Sequence, residues 1–333
     1  MKRCSAIIIT LLSAAFLLPL HAVAFDTKHC YLRDAASTGA STAYLLCEEG
    51  LVYATSDAGK TWTSHETGAT ARLHGISFFD ATHGLAVGDA GILLATDDGA
   101  KTWQSRTSGT KEHLLSVFTF GDQSWASGFD GALLHSADRG RTWNAQKSGT
   151  TMALESIFFL DDNHGWSVGW SGTILRTVDG GTTWQSIKTD AAQWSLATVR
   201  FFDANNGWAA GFSGQLLHST DGGSTWKVQK SPTQSWLTSI FADRSKRLWI
   251  AADDHILMSD DGGQNWKAIA VPSSFFVSRI FPMGDSLWGL AALGIVRQVG
   301  DRLEWTHDET FVPAGAHIGN SVSETLGATP KAK

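Results

Sequence analysis

The chain has 333 residues and a net charge of −6, with 26 basic side chains against 32 acidic ones. That balance disfavours nucleic acid as a partner, because phosphate binding needs a basic surface. The 15 tryptophans are far above ordinary usage, and the length is ample for a large core.

In chain order, residues 1–24 read as a secretory signal. Lys2 and Arg3 form its positive end, and Ile7 to Leu20 an apolar run short for a membrane span. Ala22-Val23-Ala24 gives a small-x-small cleavage site, so an exported mature chain starting at Phe25 is expected. Losing Lys2 and Arg3, and no acidic residue, takes the charge from −6 to −8. No later stretch is long and apolar enough to span a bilayer. Cys30 and Cys47 remain. Two cysteines in an exported chain point to a disulfide stapling the N-terminal strands, with two unpaired buried thiols as the alternative.

From Thr55 onward one box recurs: Ser/Thr-x-Asp-x-x-x-x-Trp. Its aspartates are Asp57, Asp98, Asp138, Asp179, Asp221 and Asp261, and its tryptophans fall at 62, 103, 143, 184, 226 and 266. The steps are 41, 40, 41, 42 and 40 residues, and a further step of 39 reaches Trp305, where the box has decayed. A fixed period in this range means one structural unit copied many times, with atypical end copies. The aspartate is read as a structural bracket accepting backbone hydrogen bonds of its own turn. A catalytic or Ca²⁺-binding role is the alternative. A catalyst needs one asymmetric site, however, and this residue recurs six times.

Each unit reads as four short strands. In residues 73–106 these are Gly75 to Phe79, Leu85 to Gly88, Ile92 to Ala95 and Thr102 to Arg106, separated by Gly/Asp turns. Seven such units predict an all-β fold, a seven-bladed β-propeller of four-stranded antiparallel blades over residues 25–311. The second strands carry Trp125, Trp166, Trp208, Trp249 and Trp288, read as packing between blades. Residues 312–333 are rich in Gly, Ala, Ser, Thr and Pro and are expected to be a disordered tail.

A longer composite runs through these units: an aspartate, then Gly-Trp-x-x-Gly-x-x-Gly-x-Ile-Leu-x-Thr-x-Asp-Gly-Gly-x-Thr-Trp. Asp162 to Trp184 matches it closely, as does Asp203 to Trp226. Over roughly residues 30–310 the chain thereby resembles the photosystem II stability/assembly factor family, within the wider Asp-box (BNR) group that includes sialidases. The resemblance implies a non-enzymatic helper that binds a membrane-protein client. It would sit in the periplasm, or in the thylakoid lumen of a phototroph, as a monomer without a cofactor. Phototroph members are noted for an arginine patch. Here Arg72, Arg200 and Arg279 are the few arginines at first-strand positions, so the mode of action carries over more readily than the client.

Residues that break the repeat are the candidates for recognition. Trp170, Trp194 and Trp236 lie outside both tryptophan registers, and strand alternation puts them at the end away from the aspartate turns. With Phe129, Phe212, Phe275 and Phe276 they form a candidate partner face; filling gaps between blades is the alternative. His74, His113, Glu155, Arg200 and Arg279 are read as a channel mouth at the same end, or as a solvated pore. The rival function is an Asp-box glycoside hydrolase or glycan-binding propeller. Asp89, Glu155 and Asp253 or Asp254 are its candidate carboxylates, but nothing in the sequence pairs them. The tyrosines sit in the first unit and no arginine triad is evident, which disfavours sialidase chemistry. The 12 histidines lack metal-ligand spacing.

Overall fold

The structure is a computed structural model that describes residues 30–189, 194–242, 247–253, 255–271, 276–291, 294–298 and, for the backbone, 305–307. The expected signal, the expected tail, Phe275 and Asp254 lie outside the described residues. The chain forms seven four-stranded sheets, each from consecutive strands paired antiparallel in sequence order. The sheets span residues 32–66, 73–105, 114–145, 154–186, 196–229, 237–270 and 277–307. They are called blades 1 to 7.

Blade 4 is representative. Leu154–Phe159 is its innermost strand, followed outward by Gly165–Gly169, Ile174–Thr177 and Gln185–Ser186. Every residue of the second strand is buried, because neighbouring blades cover both of its faces. The innermost strands of successive blades touch around the axis, and that of blade 7 touches that of blade 1. The result is a closed seven-bladed β-propeller. Among the described residues the only helical elements are four single 3₁₀ turns, and no helix is long and apolar enough to cross a membrane.

The aspartate turns hold each blade's outer edge. In blade 4, Asp179 Oδ1 accepts from the Thr177 hydroxyl at 2.8 Å and the Thr183 amide at 2.9 Å, while Oδ2 accepts from the Thr183 hydroxyl at 2.6 Å. The same set recurs around Asp57, Asp98, Asp138 and Asp221, and around Asp261 with Asn265 in place of threonine. These bonds favour the charged form. At Asp57 the Thr61 side chain and amide hold the carboxyl at about 2. At Asp138 burial opposes the shift, yet bonds from Thr142 and Ser136 still hold it at about 2.

Blade-to-blade packing follows from the second-strand ring. Trp166 of blade 4 stacks on Phe201 of blade 5, with centroids 3.6 Å apart and planes 11° apart. Its Nε1 donates to the Gly222 carbonyl in the next aspartate turn at 3.1 Å. Phe201 in turn meets Trp226 edge-on. Trp125 repeats this arrangement with Phe159, Trp184 and the Gly180 carbonyl. Blade 1 does it with Tyr44, which stacks on Phe78 and donates to the Ala81 carbonyl. Gly223 is left-handed (φ +80°), and a Cβ there would lie 2.3 Å from Trp166 Nε1, so the turn needs glycine for both reasons.

The ring closes between blades 7 and 1 without strand exchange. Trp288, Phe281 and Leu290 of blade 7 share one buried cluster with Leu32, Leu45 and Tyr53 of blade 1. Arg279 Nε sits 3.0 Å from Asp34 Oδ1 across the same join. Cys30 and Cys47 are disulfide-bonded, tying the chain ahead of the innermost strand of blade 1 to the end of its second strand.

Candidate functional site

The end of the ring away from the aspartate turns carries a collar of aromatic rings. Between second and third strands, blades 2 to 5 make equivalent 3₁₀ turns: Asp89–Gly91, Phe129–Gly131, Trp170–Gly172 and Phe212–Gly214. Each touches the innermost strand of the following blade, which brings it near the axis. Glycine ends the preceding strand because a Cβ on Gly169 would lie 1.9 Å from the Ala153 carbonyl oxygen. The first residue of each turn is thus projected at one radius, and aromatic residues there meet their neighbours.

The contacts run from ring to ring. His113 lies edge-on to Phe129 at 5.4 Å, and Phe129 edge-on to Trp170 at 5.5 Å. Phe212 stacks on Trp236 at 4.7 Å, and Trp236 lies 6.1 Å from Phe276. Trp194 enters on the link between blades 4 and 5, its amide donating to Gln215 Oε1 at 2.7 Å. Trp170, Trp194, Phe212 and Phe276 are 44%, 55%, 46% and 36% exposed, whereas Trp236 is half-buried. The predicted partner-face residues thus form two ring groups at one end, Phe129–Trp170 and Phe212–Trp236–Phe276, with Trp194 on the link between their blades and Trp194 and Phe212 as the most open rings.

Carboxylates orient the collar. Glu155 Oε1 accepts from Trp170 Nε1 at 2.6 Å. Asp89 Oδ1 lies 2.6 Å from both His74 Nε2 and His113 Nδ1, so both imidazoles present N–H to one oxygen. Burial pushes the Asp89 carboxyl up, and the histidine bonds more than offset it, leaving the group below the usual carboxylate range. Three buried polar atoms here lack a hydrogen-bond partner among the described residues: His74 Nδ1, Trp236 Nε1 and Asp253 Oδ1. No group of three or more His, Cys, Asp or Glu side chains among the described residues is placed to hold a metal ion.

The predicted channel-mouth group splits. His74, His113 and Glu155 join the collar, but Arg200 does not. It pairs with Trp208, one step from the Phe201–Gly207 pair beside the first turn of blade 5, towards the aspartate-turn end. Arg279 sits deeper than the collar, bonded to Asp34. The cause is position along the strand: Arg200 is the fifth residue of Leu196–Phe201 and Arg279 the third of Val277–Met283, so neither lies at the collar end. Sequence reasoning passes over Asp34. Its signal is a carboxylate at the third position of an innermost strand, where other blades have Gly, Ser, Thr or Arg.

A closed ring of four-stranded blades, with aspartate turns at one end and aromatic turns at the other, defines a repeat β-propeller. The model of the family described as photosynthesis system II assembly factor YCF48 matches residues 66–150 and 141–272, and the chain belongs to that family. A YCF48 bound to D1 peptide shares 20% identity at a TM-score of 0.68, over 82% of this chain and 92% of that one. YCF48 from Cyanidioschyzon merolae shares 18% at 0.65, over 79% and 93%. The GH74 xyloglucanase from Xanthomonas campestris shares 12% at 0.68, over 84% of this chain and 54% of that one. At such identities these likenesses establish the fold. No curated protein matches the sequence.

Proposed function

We propose that the protein is an exported, non-enzymatic assembly or stability factor that docks a peptide segment of a membrane-protein client on its aromatic collar. The observation that carries this is the gathering of two aromatic groups, Phe129–Trp170 and Phe212–Trp236–Phe276, at one end of the ring, backed by buried polar atoms without partners among the described residues. Family membership supports it, as does the related YCF48 that is bound to D1 peptide. In this reading the leader of residues 1–24 is removed, the mature protein works in the periplasm or a thylakoid lumen, and it acts as a monomer without a cofactor.

The test is capture of client from detergent-solubilised membranes by wild type and by variants. Trp170→Ala/Trp194→Ala removes the two exposed indoles without touching the core, and adding Trp236→Ala removes the ring stacked on Phe212. Capture should fall at least about tenfold in the double variant at unchanged melting temperature; equal capture would move the docking site elsewhere. The rival reading, a glycan-binding or glycoside-cleaving propeller, predicts instead sugar-array binding or turnover that depends on Glu155 or Asp89.

A further inference from the structure

A second feature lies on the axis, apart from the collar. A cavity of about 380 Å³ is walled by the innermost strands of all seven blades. At the fifth position of that strand, blades 3, 4, 6 and 7 place Phe118, Phe158, Phe241 and Phe281 against it, while blade 5 places Arg200. A cation therefore replaces an aromatic ring in an aromatic register. Its guanidinium lies 4.8 Å from the Phe158 ring centre and 6.0 Å from that of Phe118.

Arg200 makes no hydrogen bond or ion pair among the described residues. The nearby carboxylate is already used: Asp34 takes Arg279 Nε and the Ala35 amide on one oxygen and the Ile76 amide on the other. The cavity thus has two guanidinium charges near one carboxylate, which leaves a net positive charge. The partly exposed surface of Arg200 opens into that cavity, and burial, then the charge of Arg279, pushes its guanidinium down to about 10. It stays protonated at neutral pH. A half-buried charge without a partner among the described residues is costly, and cation–π contacts offset only part of that cost.

We propose that the axial cavity binds a small organic monocarboxylate with an aromatic or branched apolar body, its carboxylate on Arg200 and its body against the phenylalanines. One guanidinium fork is free, so one carboxylate is balanced, and the planar fork matches a planar acceptor. A phosphate dianion would leave one negative charge unmatched. The volume falls at the small end of ligand pockets, about 300–1,000 Å³.

Isothermal titration of the full mature protein with phenylacetate tests this, with phenylacetamide as the uncharged counterpart. Phenylacetate should bind, phenylacetamide at least about tenfold more weakly, and Arg200→Met should reduce phenylacetate affinity by at least about tenfold. Arg200→Met should fold, because it removes an unpaired charge. Ala36→Phe, at the fifth position of the innermost strand of blade 1, adds a ring in the same register against the cavity while keeping Arg200, and should also abolish binding. A short peptide ending in phenylalanine, free and amidated, separates a chain terminus from a free acid. The proposal is overturned by no phenylacetate binding up to about 10 mM, by binding indifferent to Arg200→Met, or by binding confined to the peptide acid.

Discussion

Replacing Trp166 measures how strongly one blade holds the next. The indole is 1% exposed, stacked on Phe201 and hydrogen-bonded to Gly222, both in the following blade. Truncating a buried tryptophan to alanine costs about 3–5 kcal/mol, and loss of the stacked pair places Trp166→Ala near the top of that range, about 4–5 kcal/mol. Trp166→Phe keeps a ring against Phe201 but loses the N–H donor. The Gly222 carbonyl is not orphaned, since Arg176 Nε also donates to it at 2.7 Å, so this change should cost only about 1–2 kcal/mol. Urea unfolding followed by far-UV circular dichroism reads both values without relying on the other tryptophans. A loss under about 1 kcal/mol for Trp166→Ala, with an unchanged denaturant slope, would refute the claim that blades are joined chiefly through these rings.

Further measurements probe other parts of the frame. Gly169→Ala, which sets a Cβ against the Ala153 carbonyl, should cost at least about 2 kcal/mol by thermal melt, whereas Gly149→Ala, with open space around it, should cost only about 1. Reducing the Cys30–Cys47 bond, which closes a separation of 17 residues, should remove about 3 kcal/mol, read as a lower melting point in reductant and in Cys30→Ser/Cys47→Ser. The aspartate turns set the acid limit. Asp138 titrates at about 2 when folded and near 3.9 when unfolded. Its contribution is therefore complete above about pH 4 and lost as pH falls through about 2. Melting points taken from pH 5 to pH 2 should decline in that window, and Asp138→Ala should flatten the decline.

The frame was legible in the sequence because its determinants are local. An aspartate, glycines and a tryptophan within eight residues specify a turn wherever they occur, and their spacing counts the blades. The collar was legible for a similar reason. Trp170 breaks a repeat whose geometry its neighbours define, so parity alone put it at the correct end. What escaped depends on contacts between distant residues. That Tyr44 takes the place of a tryptophan against Phe78 cannot be read without knowing that the two rings face each other. Sequence reasoning puts Arg200 at the wrong end because composition does not mark where the innermost strand Leu196–Phe201 begins, and Arg200 is its fifth residue. The Arg279–Asp34 pair joins the last blade to the first, and nothing local links those positions.

The join between blades 7 and 1 has a consequence of its own. No strand crosses it, so every sheet is a single uninterrupted passage of chain and the ring has no privileged beginning. A circular permutant that ties His307 back to Leu32 with a connector like those elsewhere, and is cut open between two other blades, should rebuild the same closed ring. Such an architecture lets a gene lengthen or be re-ordered by whole copies, while the side chains at the join decide how many copies close the circle.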